Sequence, residues 1–150
     1  MLIKRRKFFR SLLGLAGLGL LLRPISVLAA WNKEAFAAVT EKDALEKFFP
    51  GETISASDAV TIDAHDLVEN GAYVPVQIES TLPAVQSITL LVENNPNPLI
   101  ASFELAPECP AFIATRIKMA KPSDVIAVVK SNGRLFSARK FIKVVEGGCG

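Results

Sequence analysis

The chain has 150 residues, half of them hydrophobic, with 17 basic and 15 acidic side chains and a formal net charge of +2. Six basic and no acidic residues lie in positions 1–30, so the remainder has eleven basic and 15 acidic side chains, a formal charge of about −4. That balance gives no support to nucleic-acid binding, and roughly 120 residues suffice for one domain with a buried core.

The N-terminus has the pattern of an export signal. Twin arginines, Arg5 and Arg6, precede an apolar stretch at residues 12–22 and a run of small residues that ends at Ala29 and Ala30. This order predicts that residues 1–30 are a cleaved twin-arginine signal. The apolar stretch is shorter than the roughly 20 residues that span a bilayer, which makes an uncleaved anchor the weaker alternative. The expected location is the periplasm, reached by a protein that is exported already folded.

One short helix is expected after the signal. Thr40 and Asp43 have the spacing of a capping box, with Asp in place of the usual Glu. Pro50 and Gly51 then end the helix. Whether residues 32–39 form a separate helical turn stays open. The residues on the apolar face of the helix are Ala44, Leu45, Phe48 and Phe49.

The rest of the chain has the pattern of short strands. Pro75 lacks an amide hydrogen, so the strand around it is expected at a sheet edge or beside a bulge. The continuous apolar run at residues 125–129 suits a central strand, and Asn132-Gly133 predicts a two-residue hairpin. Further strands are predicted at residues 73–79, 88–92, 99–105, 113–119 and 134–145. About seven strands and one short helix predict an all-β fold, an immunoglobulin-like antiparallel β-sandwich.

The last predicted strand has two different faces. Its even positions suit the core, whereas its odd face carries Leu135 and Phe141 and is more apolar than a solvated face needs. Isolated exposed apolar residues are ordinary, so a subunit contact on this face is only slightly favoured. The even positions that suit the core are Phe136, Ala138, Ile142 and Val144.

Two side chains before the tail, His65 and Cys109, are candidate functional residues. His65, beside Asp63 and Asp66, has the chemistry of a base or a metal ligand. No second ligand with metal spacing is present, which favours a solvated loop histidine. Cys109 lies in a loop-like stretch and is expected to be a buried or idle thiol, with a disulfide to Cys149 as the minority interpretation.

The tail Gly147-Gly148-Cys149-Gly150 places a thiol between glycines, with no core to pack into. Glycine permits many backbone conformations, so Gly147, Gly148 and Gly150 are expected to form a flexible arm. A thiol on a tether, without a base, metal or oxyanion hole in its own domain, suits a carrier that other proteins act upon. The predicted organisation is a signal at residues 1–30, a sandwich at 31–146 and an arm at 147–150.

Four segments together resemble the SoxY family, the sulfur-carrier subunits of the bacterial thiosulfate-oxidising Sox system. The tail is the specific segment, and the resemblance extends over essentially all of residues 31–150. The family's tail usually has one further glycine after Gly150. The three supporting segments are residues 68–76 (VENGAYVPV), 95–99 (NPNPL) and 115–119 (TRIKM).

The resemblance implies a non-catalytic carrier without a cofactor. Cys149 would hold sulfur intermediates covalently, first as a cysteine S-thiosulfonate formed by a haem-containing enzyme and then as sulfane sulfur after a thiosulfohydrolase releases sulfate. In some organisms a sulfane dehydrogenase oxidises that sulfur. The carrier would form a heterodimer with SoxZ, without nucleic-acid or membrane partners.

Two other functions stay open at this point. The chain has the features of an exported structural or adhesion-type sandwich closed by a Cys109–Cys149 disulfide. A periplasmic thiol–disulfide exchanger is disfavoured because no resolving cysteine lies in a motif near Cys149.

Overall fold

The computed structural model describes residues 32–146, in which two short helices precede nine strands. The predicted export signal, Trp31 and the predicted arm at residues 147–150 lie outside the described residues. The helices are α1 (Lys33–Phe36) and α2 (Glu41–Phe48). The strands are β1 (Ile54–Ala56), β2 (Val60–Asp63), β3 (Leu67–Asn70), β4 (Val74–Ser80), β5 (Val85–Val92), β6 (Leu99–Glu104), β7 (Phe112–Ile117), β8 (Ser123–Ser131) and β9 (Arg134–Glu146).

The strands form two sheets, which confirms the predicted β-sandwich. One sheet has the order β1-β9-β8-β5-β6, with β3 also paired to β9, and the other has the order β2-β4-β7. Apolar residues from both sheets form one buried cluster, because alternate side chains of each strand point to the same face. The pairing is antiparallel except that β1 and β3 run parallel to β9. Members of this cluster include Val74, Val76, Ile78, Ile88, Leu90, Val125, Ala127, Val129 and Ile142.

The hairpin between β8 and β9 follows the sequence prediction. Ser131 pairs with Arg134, which leaves Asn132 and Gly133 as the two loop residues. Both have positive φ, 49° and 72°, as a two-residue turn of type I′ requires. The strand β8 lies between β5 and β9, so the predicted central position of residues 125–129 is confirmed.

The two helices cover part of the outer face of the larger sheet. Thr40 caps α2 as predicted, since its hydroxyl accepts a hydrogen bond of 3.2 Å from the amide of Asp43. The open question about residues 32–39 is answered by α1, which Asn32 caps with a bond of 3.1 Å from the amide of Ala35. A second buried cluster joins helices and sheet: Ala35, Ala38, Ala44, Phe49, Leu91, Leu99, Ile126, Val128 and Leu135.

Two sequence predictions about strands were wrong. The strand β4 lies between β2 and β7 and not at an edge, and no bulge interrupts its pairing with β7. Its Pro75 is tolerated because β2 pairs only with residues 77–80 and does not reach it. The described residues also hold nine strands instead of about seven, because β1, β2 and β3 have three or four residues each and show little periodicity.

No helix among residues 32–146 has the length and apolar character needed to cross a membrane.

Candidate functional site

The strand β9 delivers the chain to the predicted sulfur-binding tail, and it changes partners just before its end. The antiparallel neighbour β8 pairs with β9 only as far as Ile142. Beyond that point β3 takes over as a parallel neighbour, with Leu67 opposite Lys143, Val68 opposite Val144 and Asn70 opposite Glu146. The last four residues of β9 are therefore held by β3 alone among the described strands.

Hydrogen bonding and packing hold this end of β9 in place. The amide of Lys143 donates a hydrogen bond of 2.8 Å to the carbonyl of Asp66, immediately before β3. On the inner face Val144 is buried in the main core, against which Val68 also packs. An inward valine two residues before Glu146 keeps the strand on the sandwich almost to its last residue.

The turn that follows β3 connects this part of the larger sheet to the second sheet. The side-chain oxygen of Asn70 accepts a hydrogen bond of 2.8 Å from the amide of Ala72, which is an Asx turn. The carbonyl of Asn70 also accepts from the amide of Tyr73, at 3.3 Å. The carbonyl of Gly71 accepts a bond of 2.8 Å from the amide of Met119, a residue buried in the core. The base of the tail is thus a braced corner between the two sheets.

The outer face of this corner is apolar and exposed. Leu67, Phe141 and Val145 are 56%, 59% and 63% exposed, and we call these three residues the tail-root patch. They share a face because Phe141 and Val145 alternate with the core residues Ile142 and Val144, and Leu67 is paired with Lys143. The sequence prediction of an apolar odd face is confirmed for Phe141, whereas Leu135 is 2% exposed and packs in the helix-covered cluster.

The charges beside the patch are partly paired. Lys140 forms an ion pair of 3.0 Å with Asp66, and Arg139 forms ion pairs with Glu41 and, at 3.9 Å, with Asp124. Lys143 lies between the apolar residues of the patch and makes no ion pair within residues 32–146.

The position of Cys149 limits how far its sulfur travels from this corner. It lies three residues beyond Glu146, and a fully extended chain spans about 3.3–3.6 Å per residue, so its Cα stays within about 10 Å of the Cα of Glu146. This limit follows from covalent geometry alone. Cys149, Gly147, Gly148 and Gly150 themselves lie outside the described residues.

Cys109 lies in the connection between β6 and β7 and is a free, exposed thiol. Its amide donates a hydrogen bond of 2.9 Å to the carbonyl of Ala106, which places the cysteine at the end of a tight turn. Of the two expectations for this residue, a buried or an idle thiol, burial is wrong, because a turn exposes its side chains on the surface. The minority interpretation, a disulfide to Cys149, involves a residue that lies outside the described residues.

His65 lies between β2 and β3, and its side chain is exposed, as predicted for a loop histidine. An open groove of about 160 Å³ beside it is lined by Asp63, Pro75 and Gln77. Within residues 32–146 no three His, Cys, Asp or Glu side chains converge on a common point where a metal ion would bind.

Sequence reasoning missed the role of β3. Two apolar residues, Leu67 and Val68, are too few to show a strand period, and the parallel partner of β3 lies at the far end of the domain. One signal was present: Asn70-Gly71 is a dipeptide typical of turns, and it marks the end of β3.

Comparisons with known proteins agree with this arrangement. The family described as "Sulfur oxidation protein SoxY" matches residues 45–149. The structure entitled "Structure of the sulfur carrier protein SoxY from Chlorobium limicola f thiosulfatophilum" is 33% identical, with a TM-score of 0.66 over 77% of this chain and 100% of that one. Superoxide reductase (neelaredoxin) from Ignicoccus hospitalis, at 23% identity and a TM-score of 0.52 over 57% of this chain and 80% of that one, shares the fold alone. No curated protein matches in sequence.

The family match spans more than two thirds of the chain, includes Cys149 and covers every described strand. The chain belongs to the SoxY family of sulfur oxidation proteins.

Proposed function

We propose that this protein is a sulfur carrier of thiosulfate oxidation, in which Cys149 holds the sulfur intermediates covalently while other proteins act on them. The observation that carries this proposal is that the SoxY family match extends to residue 149 and so includes the cysteine. The related protein from Chlorobium limicola f thiosulfatophilum is a sulfur carrier protein. The braced corner at the end of β9 supports the same role, because a carrier needs a firm base from which a thiol projects.

The chemistry begins with the thiolate of Cys149 and thiosulfate. The two sulfur atoms form one S–S bond and lose two electrons, which a haem-containing partner enzyme accepts, and the product is a cysteine S-thiosulfonate. A thiosulfohydrolase then adds water to the terminal sulfonate sulfur and breaks its bond to the sulfane sulfur. Sulfate and two protons leave, and a persulfide stays on Cys149. A sulfane dehydrogenase is a candidate for oxidising that remaining sulfur.

The glycines on both sides of Cys149 are proposed to form a slender arm. Each lacks a side chain, so Gly147, Gly148 and Gly150 add little width to a segment that must enter a narrow catalytic channel. The carrier is proposed to work as a heterodimer with a SoxZ-like subunit. Residues 1–30 are proposed to direct folded export to the periplasm by the twin-arginine route and then to be removed.

Intact mass spectrometry of the periplasmic protein tests these proposals together. The protein is expected to lack the signal segment and, after incubation with thiosulfate and the haem-containing enzyme, to gain about 112 Da as the thiosulfonate. Treatment with the thiosulfohydrolase is expected to leave a gain of about 32 Da as the persulfide. Peptide mapping is expected to place both adducts on Cys149.

Cys109 supplies a matched control, because it is a second, exposed thiol in the same protein. The variant Cys109→Ser is expected to be loaded normally, and Cys149→Ser is expected to gain no mass and to abolish thiosulfate-dependent electron transfer. Adducts on Cys109 alone, or a loss of two hydrogens with a bridge between Cys109 and Cys149, would refute the carrier role and favour a disulfide-closed structural module.

A further inference from the structure

The outer face of the larger sheet carries an exposed apolar surface beside the point where the tail begins. Most of the apolar residues on this face are covered: Leu135 of β9 and Ile126 and Val128 of β8 are buried in the cluster formed with the helices. Further along the same strand, Phe141 and Val145 are more than half exposed. The tail-root patch is thus the uncovered remainder of a face that is otherwise buried.

The patch lies within the area that any enzyme must approach in order to receive Cys149. The Cα of Cys149 stays within about 10 Å of the end of β9, so the mouth of a recessed catalytic site must come at least that close. With a rise of about 3.3 Å per residue, Val145 lies about 3 Å and Phe141 about 17 Å from Glu146 along the strand. Leu67 is paired with Lys143, about 10 Å from the same point.

A protein contact of standard size extends over about the same distance. A standard interface buries about 800 Å² on each partner, which corresponds to a disc of roughly 16 Å radius. An enzyme centred on the exit of the tail and seated on the outer face therefore covers Val145 and Leu67, and the edge of its contact lies at about the position of Phe141. The inner face of β9 is not accessible, because Ile142 and Val144 are buried in the core.

We propose that the tail-root patch of Leu67, Phe141 and Val145 is the docking surface for the thiosulfohydrolase that releases sulfate from Cys149. This inference rests on the proposed carrier role. The complementary surface on the enzyme is an apolar lip around a recessed site, with an acidic side chain facing Lys143, which makes no ion pair within residues 32–146. Two charged side chains, Lys143 and the exposed Glu69, lie beside the apolar residues of the patch, and complementary charges on the enzyme would speed its association and orient it.

Other surface features do not serve this purpose as well. An open groove of about 500 Å³ is lined by Asp58, Thr61, Arg139 and Lys140 among others. Its nearest residue on β9, Lys140, is six residues before Glu146, about 20 Å along the strand, which is farther from the tail than any residue of the tail-root patch. The exposed Phe112 lies in the other sheet, at the start of β7. The opposite end of β7, five residues later, is the end that lies next to the braced corner.

Steady-state kinetics of the thiosulfohydrolase, with the loaded carrier and its partner subunit as substrate, test the proposal. In the variant Phe141→Ala/Val145→Ala, kcat/KM is expected to fall by about tenfold or more through a higher KM, while kcat at saturation stays near the wild-type value. The matched control Phe112→Ala removes an equally large exposed aromatic group from the other sheet and is expected to leave kcat/KM unchanged. The variant Lys143→Glu is expected to raise KM to a lesser extent and to weaken its dependence on salt.

Two further measurements separate docking from the carrier role. The rate at which a small thiol reagent modifies Cys149 is expected to be equal in the wild type and the double variant, because the substituted side chains take no part in the reaction of the thiol. Association with the partner subunit, followed by native mass spectrometry, is also expected to be unchanged. An unchanged kcat/KM in the double variant would refute the docking surface, as would loss of the partner subunit, which would assign the patch to that subunit instead. If the thiosulfohydrolase does not release sulfate from the loaded wild-type protein, the carrier role is refuted, and this docking surface is refuted with it.

Discussion

The two halves of β9 show opposite outcomes for one sequence pattern. Both halves place apolar residues at odd positions of the same strand. In the first half Leu135 is 2% exposed beneath the helices, whereas in the second half Phe141 and Val145 are 59% and 63% exposed. Both halves belong to one continuous strand, so the difference comes from what covers each half.

The lengths of the helices and of β9 explain why the helices cover only one part of the strand. At about 1.5 Å per residue the four residues of α1 and the eight of α2 are about 6 Å and 12 Å long. The 13 residues of β9 extend over about 43 Å at 3.3 Å each. The helices therefore cover only part of the outer face. In this protein an apolar surface is stabilising where helices lie on it and is available to a partner where they do not.

The largest expected effect comes from truncating one residue in each half. Leu135→Ala leaves a cavity in the helix-covered cluster and is expected to lower the free energy of unfolding by about 2–5 kcal/mol. Phe141→Ala removes an exposed ring and is expected to change it by less than about 0.5 kcal/mol. Urea denaturation followed by circular dichroism measures both. Equal losses of unfolding free energy in the two variants would mean that Phe141 is covered in solution. The two halves of β9 would then not differ in burial.

A smaller effect is expected from destabilising α2 while β9 is left unchanged. Thr40→Ala removes the cap of α2 and is expected to cost about 1 kcal/mol of stability. Because α2 helps to bury Leu135, hydrogen exchange of the α2 amides is expected to accelerate, while exchange of the Lys143 amide, bonded to Asp66, is expected to stay slow. Thr40→Ser, which keeps the hydroxyl, is the control. Equal acceleration at Lys143 would show that the two halves open together.

The smallest effect is expected at the boundary between the halves. Glu41→Gln breaks the ion pair between α2 and Arg139, whose side chain is about half exposed. Because solvent and salt screen such a pair, the expected loss is at most about 1 kcal/mol and is expected to shrink as the salt concentration rises. Urea denaturation at low and high salt measures it. A loss that does not depend on salt would indicate that Glu41 acts by packing and not by charge.

Local features of the fold were predictable from the sequence. The cap of α2 by Thr40 and the turn at Asn132-Gly133 each depend on residues no more than three positions apart, and both predictions are confirmed. The inward residues of β9 were also predictable, because a strand alternates its faces with a period of two. The importance of Cys149 was predicted from the tail motif and its resemblance to the SoxY family, and the family match includes that residue.

Long-range pairing was not predictable. The strand β3 holds the end of β9 from a distant part of the chain, and its four residues carry no distinct signal of their own. The central position of β4 was missed for a similar reason: Pro75 argues for an edge, but whether a neighbouring strand extends far enough to meet it depends on where β2 ends.

The sequence by itself determined which residues of β9 face inward and where its hairpin turns, since each depends only on chain neighbours, and it predicted Cys149 as the sulfur-binding residue from the tail motif. Only the tertiary structure decided that Leu135 is buried while Phe141 and Val145 are exposed, and that β3 braces the last residues before the tail. A period-two pattern specifies that two faces differ, but what covers a face depends on elements that fold onto it from elsewhere in the chain.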